Sequence, residues 1–124
     1  VAGTKFKSKM PSAWWECPQK YHVINIIQHF HDIKKEKEHW NIGFKSNIEE
    51  VCVIDGVLMC FGNAAIGVKF DETLSGFHNY DLNASVEVSK INLKIVVINS
   101  IVIEHFSSGE LNKQWVESSM SFYN

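Results

Sequence analysis

Apolar residues between positions 21 and 38 recur mostly at steps of three and four. The residues that follow this spacing are Val23, Ile26, Ile27, Phe30 and Ile33. This spacing places side chains on one face of an α-helix. Proline is favoured in the first turn of a helix, so Pro18 indicates where the helix begins. The pattern therefore predicts one amphipathic helix that ends near Trp40.

The period then changes to that of β-strands. Two apolar runs, 51–54 and 57–61, flank the pair Asp55-Gly56, and residues 66–70 alternate as a third strand. Asp-Gly between such runs signals a two-residue hairpin, because a type I′ turn needs positive φ at both central residues. Both runs are apolar at every position, so we expect a central hairpin that is covered on both faces.

Residues 82–97 predict a long strand with one irregularity. Apolar and polar residues alternate from Leu82 to Val88 after a polar loop at 71–81, and the parity of the alternation reverses at Lys90. An extra residue within a strand reverses parity in this way, so we expect a β-bulge near Ser89-Lys90.

The C-terminal part of the chain predicts further strands. Residues 101–103 begin a return strand, a turn follows at 107–109, and 111–123 fit a strand or a short helix followed by a strand. The fold class is α+β: one amphipathic helix packed on a mostly antiparallel, bulged β-sheet of about five to six strands. We expect a basic, mobile N-terminal arm at 1–15 and a single domain at 16–124.

Charge and cysteine content narrow the functional classes. All 12 cationic side chains are lysines and the net charge is −2. Arginine supplies the bidentate contacts that read guanine, so we expect no sequence-specific nucleic-acid binding. Cys17, Cys52 and Cys60 lack C-x-x-C spacing, which favours reduced thiols in a protein that is not secreted. No apolar run reaches the length of a transmembrane helix.

The titratable residues predict no catalytic or metal centre. Four histidines lie in or near the predicted helix, with no pair at metal-binding spacing: His22, His29, His31 and His39. Each acidic residue has an ordinary structural role. Asp55 belongs to the predicted hairpin turn and Asp81 to the polar loop, while Glu87 and Glu104 lie on polar faces of predicted strands. We therefore expect a protein that is not an enzyme and holds no cofactor or metal.

The N-terminal segment combines lysines with aromatic residues. Its members are Lys5, Phe6, Lys7, Lys9, Trp14 and Trp15. Such a cationic, amphipathic composition suits a membrane interface or a partner groove. The alternative is that both tryptophans pack over the edge of the core.

Two parts of the chain resemble rhabdovirus matrix proteins. Tyr21-His22-Val23 and His29-Phe30-His31-Asp32 resemble the two ends of that family's helix. Its C-terminal strands, turn and aromatic end are similar to Ile101-Val102-Ile103-Glu104, Ser108-Gly109, Gln114-Trp115-Val116 and Ser121-Phe122. The order of helix, hairpin, long loop and further strands is also similar.

The resemblance implies a non-enzymatic viral structural protein. Such proteins self-associate, lie under the envelope membrane and bridge it to the nucleocapsid during assembly and budding. The implied partners are copies of the chain itself, the viral nucleocapsid and an anionic membrane surface. The implied localisation is the virion and the host-cell cytoplasm, at the inner face of the membrane.

An NTF2-like fold is the alternative. Such a domain binds a small molecule, or acts as an enzyme, in a pocket between its helices and a curved sheet. The residues that would line this pocket are Asp81, Glu87, Glu104 and His105. A deep apolar pocket with two inward polar groups would favour this alternative, and a filled core with exposed sheet edges would favour the matrix protein.

Overall fold

The structure is a computed structural model that describes residues 1–30, 36–74, 76–107 and 111–123. The strands in these ranges are β1 Ala2–Thr4, β2 His22–His29, β3 Lys37–Ile42, β4 Ile48–Val51, β5 Val53–Ile54, β6 Ile95–Ile98 and β7 Ile103–His105. The α-helices are α1 Tyr80–Lys90 and α2 Lys113–Tyr123, and short 3-10 turns occur at Gln19–Tyr21 and Asn63–Ala65. Neither α1 nor α2 is long and apolar enough to cross a membrane.

The predicted α+β class and mostly antiparallel sheet are confirmed. The main sheet has the order β3-β2-β1-β5, and β7 also pairs with β2. One edge of β2 is covered by β3, and the other edge is shared by β1, opposite residues 22–24, and β7, opposite residues 26–28. The β2–β7 pair is parallel, and the other pairs are antiparallel. A second sheet contains β4 and β6.

One stretch of chain serves both sheets. β4 pairs with β6, Cys52 interrupts the strand, and β5 then pairs with β1. The Cys52 backbone N–H donates to the Thr4 carbonyl at 2.9 Å, so the main chain stays hydrogen-bonded where it changes sheets. This crossing carries the chain directly to Asp55.

Two apolar clusters lie against opposite faces of β2. Alternate side chains of a strand point to opposite faces, and Val23 and Ile24 accordingly belong to different clusters. The cluster around Val23 contains Val1, Val51 and Val97. The cluster around Ile24 contains Ala2, Trp14, Ile26, Val53 and Leu82.

The predicted helix between 21 and 38 is wrong. This part of the chain contains β2 and the start of β3, while residues 31–35, including His31, lie outside the described residues. Four of the five residues from Val23 to Ile27 are β-branched, which favours strands. Because both faces of β2 are covered, apolar residues occur at both parities, and this continuous run imitates helical spacing.

The predicted two-residue hairpin at Asp55-Gly56 is also wrong. Neither residue has the positive φ of a type I′ turn, and residues 57–62 form no strand. A Cβ added to Gly56 would lie 2.1 Å from the hydroxyl oxygen of Tyr80, so glycine is needed here for close approach. The predicted strand at 66–70 is a turn followed by irregular chain.

The predicted strand at 82–97 is instead α1 followed by β6. The parity reversal at Lys90 marks the end of a helix rather than a β-bulge. Small side chains let α1 lie close to the sheet, and the Ile54 backbone N–H donates to Ser85 Oγ at 3.3 Å. Val86 is one of the apolar residues whose alternation from Leu82 to Val88 predicted a strand, and in α1 it is exposed.

The two ends of the chain also differ from the prediction. Within the segment predicted to be a mobile arm, Val1 is buried and β1 lies inside the main sheet. Of the predicted turn at 107–109, residues 108 and 109 lie outside the described residues. At the C-terminus the predicted strand, or short helix followed by a strand, is replaced by the single helix α2, which continues to Tyr123.

Candidate functional site

An apolar cavity of about 790 Å³ lies over one face of the main sheet. Its size is within the range of small-molecule sites, roughly 300–1,000 Å³. The aromatic side chains in its wall are Trp14, Trp15, Phe30 and Trp40. Asp55, His105 and Gln28 are among the polar side chains that line it. This combination of an apolar wall with a few polar groups is typical of a ligand site.

Asp55 directly follows β5 at the wall of the cavity. Its Oδ1 accepts a hydrogen bond from the Val57 backbone N–H at 2.8 Å, and its Oδ2 accepts one from the indole N–H of Trp14 at 3.0 Å. Burial raises the pKa of Asp55, opposed first by the Val57 N–H and then by the charge of His105. The carboxylate is thus fixed in orientation and poorly solvated.

Asp81 lies in the first turn of α1, beside Asp55. Its Oδ1 accepts from the Leu82 backbone N–H at 2.8 Å, whereas its Oδ2 has a long contact of 3.4 Å with the Gly56 N–H. Burial and then the charge of Asp55 raise the pKa of Asp81 to about 6. Asp81 is therefore a much stronger base than an ordinary aspartate.

Tyr80 completes the acidic group around Gly56. Its phenol lies against the position where Gly56 lacks a Cβ. Burial raises the pKa of Tyr80, and the charges of Asp81 and Asp55 raise it further. Three acidic side chains, Asp55, Tyr80 and Asp81, thus gather where the end of β5 meets the start of α1.

His105 lies at the end of β7 and is oriented by Gln28. The two strands β5 and β7 run in the same direction, since β5 is antiparallel to β1, β1 is antiparallel to β2, and β7 is parallel to β2. The buried Gln28 donates from Nε2 to the carbonyls of His29 and Ser107, at 2.8 and 3.0 Å. Its Oε1 therefore accepts from His105 Nδ1 at 2.7 Å, which fixes the imidazole over the cavity.

A second cavity, of about 280 Å³, lies between α1 and β6. Its described lining is mostly apolar and includes no carboxylate or histidine. In the described part of the chain, no three His, Cys, Asp or Glu side chains are grouped so as to hold a metal ion. The titratable side chains described above therefore make the larger cavity the candidate site.

Two of the N-terminal lysines have contacts within the fold. Lys5 Nζ lies 2.6 Å from Glu49 Oε2 and, with the backbone N–H groups of Lys45 and Ser46, lowers the pKa of Glu49 to about 2. Lys7 Nζ donates to the carbonyls of Ser8 and Met10 and to Ser12 Oγ, and lies 5.0 Å from the centre of the Tyr123 ring.

The other four N-terminal residues divide between the core and the surface. Trp14 is buried, as the core alternative expects, whereas Trp15, Phe6 and Lys9 are exposed. The indole N–H of Trp14 reaches Asp55, so this residue belongs to the candidate site. A membrane or partner contact through Lys5, Phe6, Lys7, Lys9, Trp14 and Trp15 stays a prediction.

Sequence reasoning assigned the two central carboxylates to turns and loops. Of the four residues expected to line an NTF2-like pocket, His105 lines the cavity, and Asp81 lies beside Asp55. The other two pair elsewhere: Glu87 with Lys90 at 2.6 Å and Glu104 with His29 at 2.7 Å. The position of Asp55 directly after a buried strand could have indicated the site, because polar residues at the ends of buried strands are frequent components of ligand sites.

Comparison with known proteins gives one match. The model of a glycosyltransferase-like family matches residues 1–124, the whole chain. No curated protein and no solved structure matches. The family match overturns the resemblance to rhabdovirus matrix proteins, and with it the non-enzymatic role in virus assembly and budding. The expectation that the protein is not an enzyme is likewise wrong, and the NTF2-like alternative is not supported.

The other expectations about partners and localisation rested on the resemblance to rhabdovirus matrix proteins, which no longer supports them. They are self-association, contact with a nucleocapsid or an anionic membrane, and a location in the virion and host-cell cytoplasm at the inner face of the membrane. The expected lack of sequence-specific nucleic-acid binding rests instead on the absence of arginine. All of these stay predictions.

Proposed function

The chain belongs to this glycosyltransferase-like family, and from that premise we propose that it carries the site that activates an acceptor hydroxyl for glycosyl transfer. The observation that supports the proposal is a pair of half-buried carboxylates: Asp55 lines a cavity with aromatic walls, and Asp81 lies beside Asp55. The proposed substrates are an activated sugar donor and a hydroxyl-bearing acceptor.

Glycosyl transfer needs a group that accepts one proton. The acceptor oxygen attacks the anomeric carbon of the donor and forms the new C–O bond, while the bond to the leaving group breaks and the leaving group keeps its electron pair. The proton of the acceptor hydroxyl must go to a base. A base near the operating pH contributes about 10²- to 10⁴-fold to the rate.

Asp81 fits the role of this base. Its pKa of about 6 leaves it ionised at neutral pH and still basic enough to take a proton. Its Oδ2 has only the long contact with the Gly56 N–H among the hydrogen bonds described above, so this oxygen has the capacity to accept a hydroxyl proton. Asp55 orients that hydroxyl from the cavity wall and, by its negative charge, raises the proton affinity of Asp81.

The aromatic wall fits a sugar ring. Pyranose rings present flat apolar C–H faces, which pack well on indole and phenyl rings, while their hydroxyls need polar partners. Trp14 and Trp40 supply the apolar surface, and Asp55, Gln28 and His105 supply polar atoms along the same cavity. We place the acceptor sugar against this wall.

The direct test is turnover with a defined panel of donors. The purified chain is incubated with nucleoside-diphosphate sugars and simple sugar acceptors, and released nucleoside diphosphate is measured. We expect release that depends on the acceptor, and a fall of about 10²-fold or more in Asp81→Asn. The matched control is Glu72→Gln, which neutralises an exposed carboxylate in the loop before α1 and should keep wild-type turnover. Equal turnover in Asp81→Asn and wild type would refute the assignment of Asp81.

A further inference from the structure

A buried polar cluster ties α2 to the residues just before α1. The Asn79 side-chain amide donates from Nδ2 to Ser118 Oγ and to Ser119 Oγ, at 3.1 Å each. Ser118 Oγ in turn donates to the His78 carbonyl at 3.0 Å. Exposures of 6%, 1% and 2% for Asn79, Ser118 and Ser119 exclude water from these bonds. Hydrogen bonds with this burial are costly to leave unmade, so they define one arrangement.

The backbone at Asn79 shows why this cluster affects the candidate site. Asn79 adopts φ 61° and ψ 5°, the left-handed conformation, immediately before the first helical residue. An asparagine at this position usually caps the helix with its side chain, but here the side chain makes no capping bond and points to α2 instead. Contacts with α2 therefore hold the residue from which α1 starts.

The helix start places Asp81 against its partners. Asp81 is two residues after Asn79, and its carboxylate reaches the Gly56 N–H beside Asp55. Moving the first turn of α1 by about 1 Å would change this geometry directly, and errors of that size cost about 10²-fold in rate. Val116 and Met120 of α2 are exposed, whereas Phe122 packs against the core cluster around Ile24, so the polar cluster and Phe122 both attach this helix.

We infer that Asn79, Ser118 and Ser119 are positioning residues for the Asp55–Asp81 site, through which the docked α2 sets the placement of Asp81. The inference rests on the proposed function for its effect on turnover, but the placement of Asp81 is measurable without a substrate.

The test compares two readouts in matched variants. Asn79→Gly removes the side chain, while glycine keeps the left-handed backbone without strain. Asn112→Ala is the control: it removes the hydrogen bond from the Trp115 N–H to Asn112 Oδ1 at the far end of α2 and leaves the Asn79 cluster untouched. The readouts are kcat and KM with the donor panel, and the pKa of Asp81 followed by carboxyl ¹³C NMR.

We expect Asn79→Gly to lower kcat about tenfold or more with little change in KM. The pKa of Asp81 should fall from about 6 toward its ordinary value, because the carboxyl group leaves both its buried position and Asp55. Ser118→Ala should act more strongly than Ser119→Ala, since Ser118 also donates to His78. Asn112→Ala should lower Tm and leave both readouts at wild-type values.

Wild-type kcat and Asp81 pKa in Asn79→Gly, with only a lower Tm, would overturn the inference. If Asn79→Gly does not fold, the milder Ser119→Ala decides the question by the same two readouts. If the wild type shows no turnover, the proposed function fails. The NMR titration then still decides whether the cluster positions Asp81.

Discussion

Asp81 and Glu49 are two carboxyl groups in opposite surroundings. Glu49 receives Lys5 and two backbone N–H groups at the surface, and its pKa falls to about 2. Asp81 is half-buried beside a second carboxylate, and its pKa rises to about 6. The contacts of Glu49 stabilise its ionised form, so this carboxylate has little tendency to take a proton. The surroundings of Asp81 raise its affinity for a proton, and a general base requires such an affinity.

Replacing Asp81 should stabilise the fold while it removes the base. A raised pKa means that the folded state holds its proton more tightly, so stability falls as pH rises from about 4 to about 6. Asp81→Asn removes this penalty, which is about 2 to 3 kcal/mol above pH 6. Chemical denaturation of both proteins at several pH values measures the gain. A gain that is equal at pH 4 and pH 7.5 would contradict the assigned environment.

Opening the packing around Gly56 should disturb the same site. In Gly56→Ala the new methyl group would meet the phenol of Tyr80, which must swing away. We expect a loss of about 1 to 2 kcal/mol in unfolding free energy. The pKa of Asp81 should fall, since part of its burial is lost. Gly62→Ala is the control, because a Cβ there has no neighbour within 4 Å.

Removing the carboxylate of Asp55 should lower the pKa of Asp81 and so bring it closer to that of Glu49. In Asp55→Asn the negative charge that raises the pKa of Asp81 is gone, so that pKa should fall while burial keeps it above its ordinary value. Carboxyl ¹³C NMR of Asp81 in the variant measures the change. An unchanged pKa would show that the two carboxylates do not interact.

The smallest effect is expected at Glu49. Its lowered pKa contributes stability that is present above the ordinary pKa and is lost as pH falls toward about 2. Glu49→Gln should therefore reduce Tm slightly at pH 7, by an amount that added salt diminishes, and should leave turnover unchanged. Loss of turnover in this variant would place the active site elsewhere.

The fold class could be predicted from the sequence, but the type of several elements, such as β2 and α1, could not. The β-branched run from Val23 to Ile27 is apolar at nearly every position, and periodicity alone does not separate a doubly covered strand from a helix. In α1, Val86 and Val88 alternate with polar residues although a helix forms. Tertiary packing of the small Ala84 and Ser85 on the sheet decides that segment, and a local pattern contains no such information.

The candidate site was hidden for the same reason. Asp55 and Asp81 lie far apart in the sequence, and only the packing of α1 beside β5 brings them together. Asp55-Gly56 has the composition of a turn, yet its glycine serves the approach of Tyr80. The composition of the N-terminal segment singles out Trp14 and Trp15, but the hydrogen bond from Trp14 to Asp55 depends on the folded arrangement.

We propose above all that Asp81 takes the acceptor proton in glycosyl transfer. The most direct measurement is the rate of nucleoside-diphosphate release against pH for the wild type and Asp81→Asn. We expect the wild-type rate to rise with pH through an apparent pKa near 6 and then level off. The variant should be slow and lack this step. A wild-type profile without the step, or the same step in Asp81→Asn, would contradict the claim.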